Sequence, residues 1–593
     1  MKAARAIIVL GLALGLVVGL SPNPTAAPAA GRQGPPLSQA ALFSRAALVN
    51  RAGGIDLQQL EAQAAAAQLW AERAAVGRGQ TGLAATLASL PPGQANQDWN
   101  SRPQNETAIA TYHISGWIIG ANDYGIGWPI GTGIYTHRGV NYFPPFPALF
   151  QSDTGIVEPP VGTGDPVVAI GRTRAGGGLP AGLEVTYASS LGFSATFCEN
   201  GVFVYRSLDR GKSWTRPIVP GLTGGPLRTV VYQSLGLDCT IFHDKEWMTV
   251  DTNKNSPYKG RVYVTWTQFD FGGEEGAYRE SPIMMAYSDD NANTWSTPFE
   301  VSGSSAALCP NQIDSTLDAA PGACDENQFS VPVVLSNSKV AIAFENEQCD
   351  DCFANGFRDQ YLVTIWDPAT STLSGPYRVA KLFDGLNDYP ISPLNGRQTI
   401  CNDAFRLNSA GNIAVGPGNV LYVVWSDNRR HAGEFPYPTY VAAAPPHACP
   451  AGKATDVDVF ISKSTDGGVT WSAPVRVNQD TLGNDRDQWF PWVAVASNGR
   501  VDVVFYDRRN DNTAPVNDLT ETFLARSSNG GATWTDFVVS PFASQFDFGF
   551  FGTGSFIGDY NGLAVNDVGK SFPTWTGVNP GQIDTDVFLT IVP

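Results

Sequence analysis

Four copies of one octapeptide constrain this chain more than any other feature. They read SLDRGKSW (Ser207–Trp214), SDDNANTW (Ser288–Trp295), STDGGVTW (Ser464–Trp471) and SSNGGATW (Ser527–Trp534). The shared pattern is Ser-x-Asp-x-Gly-x-Thr-Trp, with Ala292, Asn529 and Ser213 as departures. A short Asp side chain can accept hydrogen bonds from backbone N–H groups just ahead of it. Glycine supplies the positive φ of a tight hairpin turn, and Trp brings a large apolar plate to a core. Strand-like runs (VFVYRS, IMMAYS, VFISKS, TFLARS) precede the copies. Each copy is therefore expected to cap one β-hairpin.

The hairpins belong to a longer repeat. Each unit holds a polar or acidic start, an apolar strand A, a Gly/Asn turn, strand B with a polar end, a variable loop, strand C, the octapeptide and strand D. DRDQWFPWVAVASNGRVDVVFYDRRND, followed by TFLARSSNGGATW, shows it most fully. Seven such units are countable from Asn105 onward, the first and fourth with decayed octapeptides and the last cut short. Four-stranded units repeated in this way stack radially into a β-propeller. Seven blades are expected, with six as the alternative, and the partial last unit is expected to act as a closing strap on the first. The abundance of Gly (62), Pro (42) and Trp (15) suits such a turn-rich all-β chain.

Three regions follow. Met1–Ala29 carries Lys2 and Arg5, then the apolar run Ile7–Leu20 and an Ala27-Pro28-Ala29 site, the form of a secretory signal peptide. Ala30–Gln104 is an Ala-rich extension or pro-segment, helical over Leu57–Ala75 or else disordered; Asn105–Pro593 is the propeller. No later stretch is expected to span a bilayer. The expected location is therefore outside the cytoplasm, extracellular or periplasmic. A net charge of −17 argues against nucleic acid and anionic membranes as partners, and a monomer is expected.

Connectivity sorts the polar residues by face. The octapeptide turns join C to D and share one face of the disc. The ends of B and the starts of A share the other. The ends of B supply Asp123, Asp270, Glu345, Glu347, Asp427, Arg429, Arg430, Asp507, Arg508 and Arg509. The starts of A supply Asp165, Asp244, Lys245, Glu246, Asp325, Asp403, Asp485, Asp487 and Asp559. Propellers usually bind ligands at the channel mouth on such a face. All eight cysteines fall there too. Cys198, Cys349, Cys352 and Cys449 lie in B–C loops, and Cys239, Cys309, Cys324 and Cys401 in D–A loops. The shortest pairings are Cys401–Cys449, Cys198–Cys239, Cys309–Cys324 and Cys349–Cys352, though spacing alone leaves others open. Cys349-x-x-Cys352 has no second pair at zinc-site spacing, so no metal site is expected there. No cofactor is expected beyond, at most, a structural calcium ion.

The octapeptide resembles the Asp-box, or BNR repeat, of the sialidase superfamily. That resemblance implies a retaining exo-glycosidase, with arginines clamping a sugar carboxylate, a Tyr nucleophile activated by Glu, and an Asp acid/base. Arginine suits the clamp because its planar fork matches a carboxylate. A Tyr nucleophile, an exception to two-carboxylate hydrolysis, needs a neighbouring base because its free pKa is near 10. On this reading the catalytic candidates are Tyr506 and Tyr560 as nucleophiles, Glu345 or Glu347 as the partner and Asp507 as the acid. The substrate-binding candidates are Arg429, Arg430, Arg508 and Arg509, with Arg406 or Arg358 as a third clamp. The family's Phe/Tyr-Arg-Ile-Pro segment is absent.

A second reading competes. WSDNRR and FYDRRND are near-copies, and a motif repeated around a ring suits pinning blades together. Asp507/Arg508 and Asp427/Arg429 are then expected as inter-blade bridges, with Arg509 and Arg430 facing the channel. The alternatives in function are a secreted sialidase-like hydrolase of glycans and a non-catalytic propeller binding a glycan or glycoprotein through its loop face.

Overall fold

The computed structural model describes residues 94–96, 103–113, 116–124, 131–136, 139–142, 150–151, 157–158, 162–193, 200–214, 229–234, 240–272, 278–310, 322–348, 358–385, 387–512, 518–582 and 584–593. The expected signal peptide, the Leu57–Ala75 helix, and Cys198, Cys239, Cys349 and Cys352 lie outside them.

The strands form seven blades, six of four strands and one of three, with every pairing antiparallel between neighbours in sequence. The innermost strands are Gln104–Thr111, Gly162–Arg172, Ile241–Val250, Asn327–Val334, Ile413–Val415, Gln488–Val495 and Gly562–Val565. Each touches the next around the ring, and the last touches the first, so the propeller is closed. Among the described residues, helix is confined to one turn at Gly549–Gly552 and a 3-10 turn at Pro417–Asn419. Between blades, apolar faces interleave, and Trp266, Trp425, Trp489 and Trp575 are fully buried there.

The closing strap runs opposite to expectation. The last blade stops at three strands, and the N-terminal segment adds the fourth edge: Gln94 pairs with Phe588, and Ala95 N donates to Val587 O at 2.7 Å. The side chain of Asn96 accepts from Val587 N at 2.9 Å. Both ends of the chain thus meet in blade 7.

The octapeptides form the turns their chemistry dictates. In blade 5 the Ser464 hydroxyl donates to Asp466 Oδ1 (2.7 Å) and accepts from Gly468 N (2.8 Å). Asp466 accepts from the Thr470 N–H (3.0 Å) and hydroxyl (2.6 Å), and Trp471 Nε1 closes the turn on Gly468 O at 3.0 Å. Blades 2 and 6 repeat the set, with Asn529 standing in for Asp. The Thr470 hydroxyl, then its N–H, hold the Asp466 carboxyl down at about 2.

Two disulfides lie among the described residues, Cys309–Cys324 and Cys401–Cys449. No described helix is long and apolar enough to cross a membrane.

Candidate functional site: the axial recess

A bulge recurs at one height around the channel. In blades 1, 2, 3, 4 and 6 the innermost strand slips register against its neighbour at Asn105/Ala108, Gly164/Val167, Asp244/Trp247, Gln328/Val331 and Trp489/Trp492. Each bulge holds a non-glycine residue in the left-handed region: Glu106 (φ 57), Asp165 (φ 53), Lys245 (φ 54), Phe329 (φ 56) and Phe490 (φ 47). Such conformations each cost about 1–3 kcal/mol and cluster at functional sites, and bulges re-aim side chains. Blade 5 breaks the pattern. Its innermost strand shortens to Ile413–Val415, and the irregular stretch before it carries Arg406 across to blade 7.

The result is a small recess of about 20 Å³ on the axis, lined by Asp165, Asp244, Lys245, Phe329, Arg397, Arg406 and Asp559 among others. An aromatic cavity adjoins it, sharing Lys245, Phe329 and Asp559. Trp247, Trp492 and Tyr560 pack with ring centroids 4.5, 5.5 and 5.9 Å apart. The Lys245 ammonium rests over the Tyr560 ring, 3.0 Å from its centroid, an attraction that desolvation strengthens.

Charge in the recess is dense. Arg406 grips Asp559 through two nitrogens, one contact at 2.8 Å, stands 3.8 Å from Glu106, and lies 4.3 Å above the Phe556 ring. The carboxyls divide by environment. Burial pushes Glu106 well above the usual range, and neighbouring Asp165 adds to it. Desolvation, then Asp165, raises Asp244 to about 7. Burial works upward on Asp559 as well, but Arg406 outweighs it and the net direction is down. Tyr560 is raised by burial and then by Glu106. Arg397 is lowered to about 10, by burial and then by Arg406. The recess and the cavity beside it thus hold a carboxyl poised near neutrality, an ionised carboxylate, a phenol and three cations.

Of the sequence candidates, Tyr560 and Arg406 are here; the others lie elsewhere. Tyr506 is buried between blades 6 and 7, its hydroxyl donating to Thr576 O at 2.6 Å and accepting from Thr576 N at 3.1 Å. It is a packing residue, not an accessible nucleophile. Glu345 is buried against Asp384, away from either tyrosine candidate in blades 6 and 7. Asp507 is buried and held by Arg509, with one contact of 2.8 Å.

None of the four candidate arginines lines the recess. Arg508 is fully buried, pairs with Asp403 of blade 5 and has its guanidinium 5.0 Å from the Trp489 ring. It is the inter-blade bridge. Arg429 instead turns back on Asp427 of its own strand end (2.8 Å) and stacks 3.6 Å over Phe460. Arg509 does the same with Asp507 and adds Asp536 at 2.7 Å. Arg430 pairs with Asp456 at 2.7 Å. The third candidate, Arg358, pairs with Asp388 at 2.5 Å.

The two motifs are therefore offset by one residue from the expected match. Asp427-Asn428-Arg429 corresponds to Asp507-Arg508-Arg509. Where blade 6 has the buried Arg508, blade 5 has Asn428, which hydrogen-bonds Asp388 O and Asp456 N.

The fold and recess define a seven-bladed propeller with a charged axial site flanked by an aromatic cavity. No protein-family model matches the chain, and no curated protein matches it. Among solved structures, the chain is similar to a Dyadobacter fermentans protein of unknown function, at 12% identity over 72% of this chain and 93% of that one, with a TM-score of 0.38. It is similar to a Penicillium chrysogenum α-L-arabinanase at 12% identity over 71% and 92%, with a TM-score of 0.34. It is similar to a Trypanosoma rangeli sialidase at 12% identity over 74% and 56%, with a TM-score of 0.36. The blade count rests on the strand pairing of this chain itself.

Proposed function

We propose that the protein is a secreted, sialidase-like glycoside hydrolase that engages one terminal sugar of a glycan at the axial recess. The observation that carries the reading is the pairing of opposed carboxyls, Asp244 near 7 and Asp559 depressed, beside Arg397, Arg406 and Lys245 in one recess. Acid and base roles are assigned where neighbouring carboxyls are driven apart in this way. Asp244 is the general acid, protonating the leaving oxygen. Arg397 and Lys245 receive an anionic group on the sugar. Tyr560 is the nucleophile; burial keeps its phenol protonated, so attack requires a nearby carboxylate to take that proton.

A panel of fluorogenic glycosides on the purified protein tests this. Release from an acidic-sugar glycoside, lost in Asp244→Asn, is the expected result. One observation favours the alternative of binding without hydrolysis: the Arg406–Asp559–Glu106 network ties blades 1, 5 and 7 together as it stands. Binding of an acidic glycan by calorimetry with no turnover of any glycoside would favour that reading.

A further inference from the structure

Away from the recess, between blades 4 and 5, a set of buried oxygens lacks partners. Glu345, at the end of the second strand of blade 4, lies against Asp384 from the loop leading into blade 5. Ser409 and Tyr389 face the same carboxyls. All four side chains are more than nine-tenths buried. Glu345 Oε1, Asp384 Oδ1 and the hydroxyls of Tyr389 and Ser409 have no hydrogen-bond partner of normal geometry.

An unsatisfied buried oxygen costs about 1–3 kcal/mol, so four together ask for a further occupant. The neighbouring cations are already committed. The next carboxylates out, Asp427 and Asp388, are matched by Arg429 and Arg358, and no Lys, Arg or His among the described residues forms an ion pair with Glu345 or Asp384. What is missing is positive charge that accepts oxygen ligands.

We propose that a calcium ion sits between blades 4 and 5, held by the Glu345 and Asp384 carboxylates with the Tyr389 and Ser409 hydroxyls around it. Oxygen-only ligands select a hard cation, and an irregular set of charged and neutral oxygens suits calcium better than magnesium, which demands near-octahedral geometry and keeps its waters. Two carboxylates match its charge. Among the described residues no group of three or more His, Cys, Asp or Glu has metal-binding geometry; this site relies on two carboxylates and neutral hydroxyls. Its role is structural: it joins the B strand of one blade to the entry of the next, behind the wall that carries Arg397.

The test uses the full chain, stripped with EDTA at constant NaCl, with melting followed as CaCl2 or MgCl2 is added. Calcium a hundredfold above its Kd is expected to raise the melting temperature by about 2–3 °C, and magnesium to do much less. The Glu345→Gln/Asp384→Asn double variant keeps the shape without the charge and is expected to lose the calcium response. Ser409→Ala, a gentler change, should move the calcium midpoint upward. Absence of a calcium-dependent shift in the wild type would overturn the proposal and leave a buried water or a shared proton in the gap. A shift of equal size in the double variant would overturn it too, placing the calcium elsewhere.

Discussion

The two faces of the disc treat carboxylates in opposite ways. On the turn face Asp466 is exposed, bound by the Thr470 hydroxyl and N–H, and held at about 2. On the loop face Asp244 is desolvated beside Asp165 and raised to about 7. The turn carboxylate satisfies local backbone and is stabilising because it is charged. The recess carboxyl is surrounded by others like it, and its ionisation works against the fold.

The contrast is sharpest in activity. Asp244→Asn is expected to reduce turnover by about 10²–10⁴-fold, the usual contribution of a general acid, without lowering the melting temperature. In the wild type, turnover should fall on the alkaline side with an apparent pKa near 7, and the variant's residual activity should lack that limb. A recess variant that melts early but turns over normally would reverse the assignment of the two faces.

The pH dependence of stability separates the faces by sign. Asp466 has a folded pKa below its unfolded value, so its contribution is present above about pH 4 and is lost as pH falls toward 2. Asp244 has a folded pKa above its unfolded value, so ionising it in the fold costs stability that accrues as pH rises from about 4 to 7. Asp466→Ala should flatten the acid side of a stability profile, and Asp244→Asn the neutral side.

Next in size is the bridge that lies on the loop face without belonging to the recess. Arg508→Ala strands Asp403 in a fully buried position, and losses of about 3–5 kcal/mol follow from breaking such pairs. Arg429→Ala removes a partly exposed arginine paired within its own strand end and should cost about 1 kcal/mol or less. Equal losses in chemical denaturation would contradict the one-residue offset between the motifs.

That offset shows where the sequence could be read and where it could not. Local chemistry was legible: Ser, Asp, Gly, Thr and Trp at fixed spacing describe a turn completely, and their recurrence implied the ring. The loop face was legible as well, because connectivity alone sends strand starts and ends to one side. The sequence pointed to the ends of the second strands, where Arg429 and Arg508 stand. The recess is built instead from the starts of the innermost strands, which face the axis. Asp165, Asp244, Lys245 and Asp559 all stand at such starts, so that signal was present. What no local pattern carried is the left-handed bulge that turns Glu106 and Lys245 inward, or the irregular stretch that brings Arg397 and Arg406 across the mouth. Those depend on five blades meeting.

On the turn face the effects become small. Asp466→Ala should cost about 1–2 kcal/mol, since the turn N–H groups it satisfies can reach water instead. It should leave any ligand affinity at the recess unchanged. A loss of binding at constant stability would mean that the turn face communicates with the axis.

The smallest expected effect concerns the one turn whose Gly position holds another residue. Ala292 takes φ 62 and is buried, whereas its counterparts Gly211, Gly468 and Gly531 accept the indole N–H of Trp214, Trp471 and Trp534. The Trp295 indole N–H, in the Ala292 turn, has no such partner. Ala292→Gly relieves a left-handed alanine, worth about 1–2 kcal/mol. It also removes one buried methyl, worth about 0.8 kcal/mol, and loosens the unfolded chain by about 0.4–1 kcal/mol. These terms nearly cancel, so denaturation should move by less than about 1 kcal/mol in either direction. A crystal structure of the variant should then show Trp295 Nε1 bonded to the carbonyl of residue 292, as in the other three turns. A stabilisation well beyond 1 kcal/mol would show that backbone strain dominates this turn, and a comparable loss that the methyl is the stronger partner.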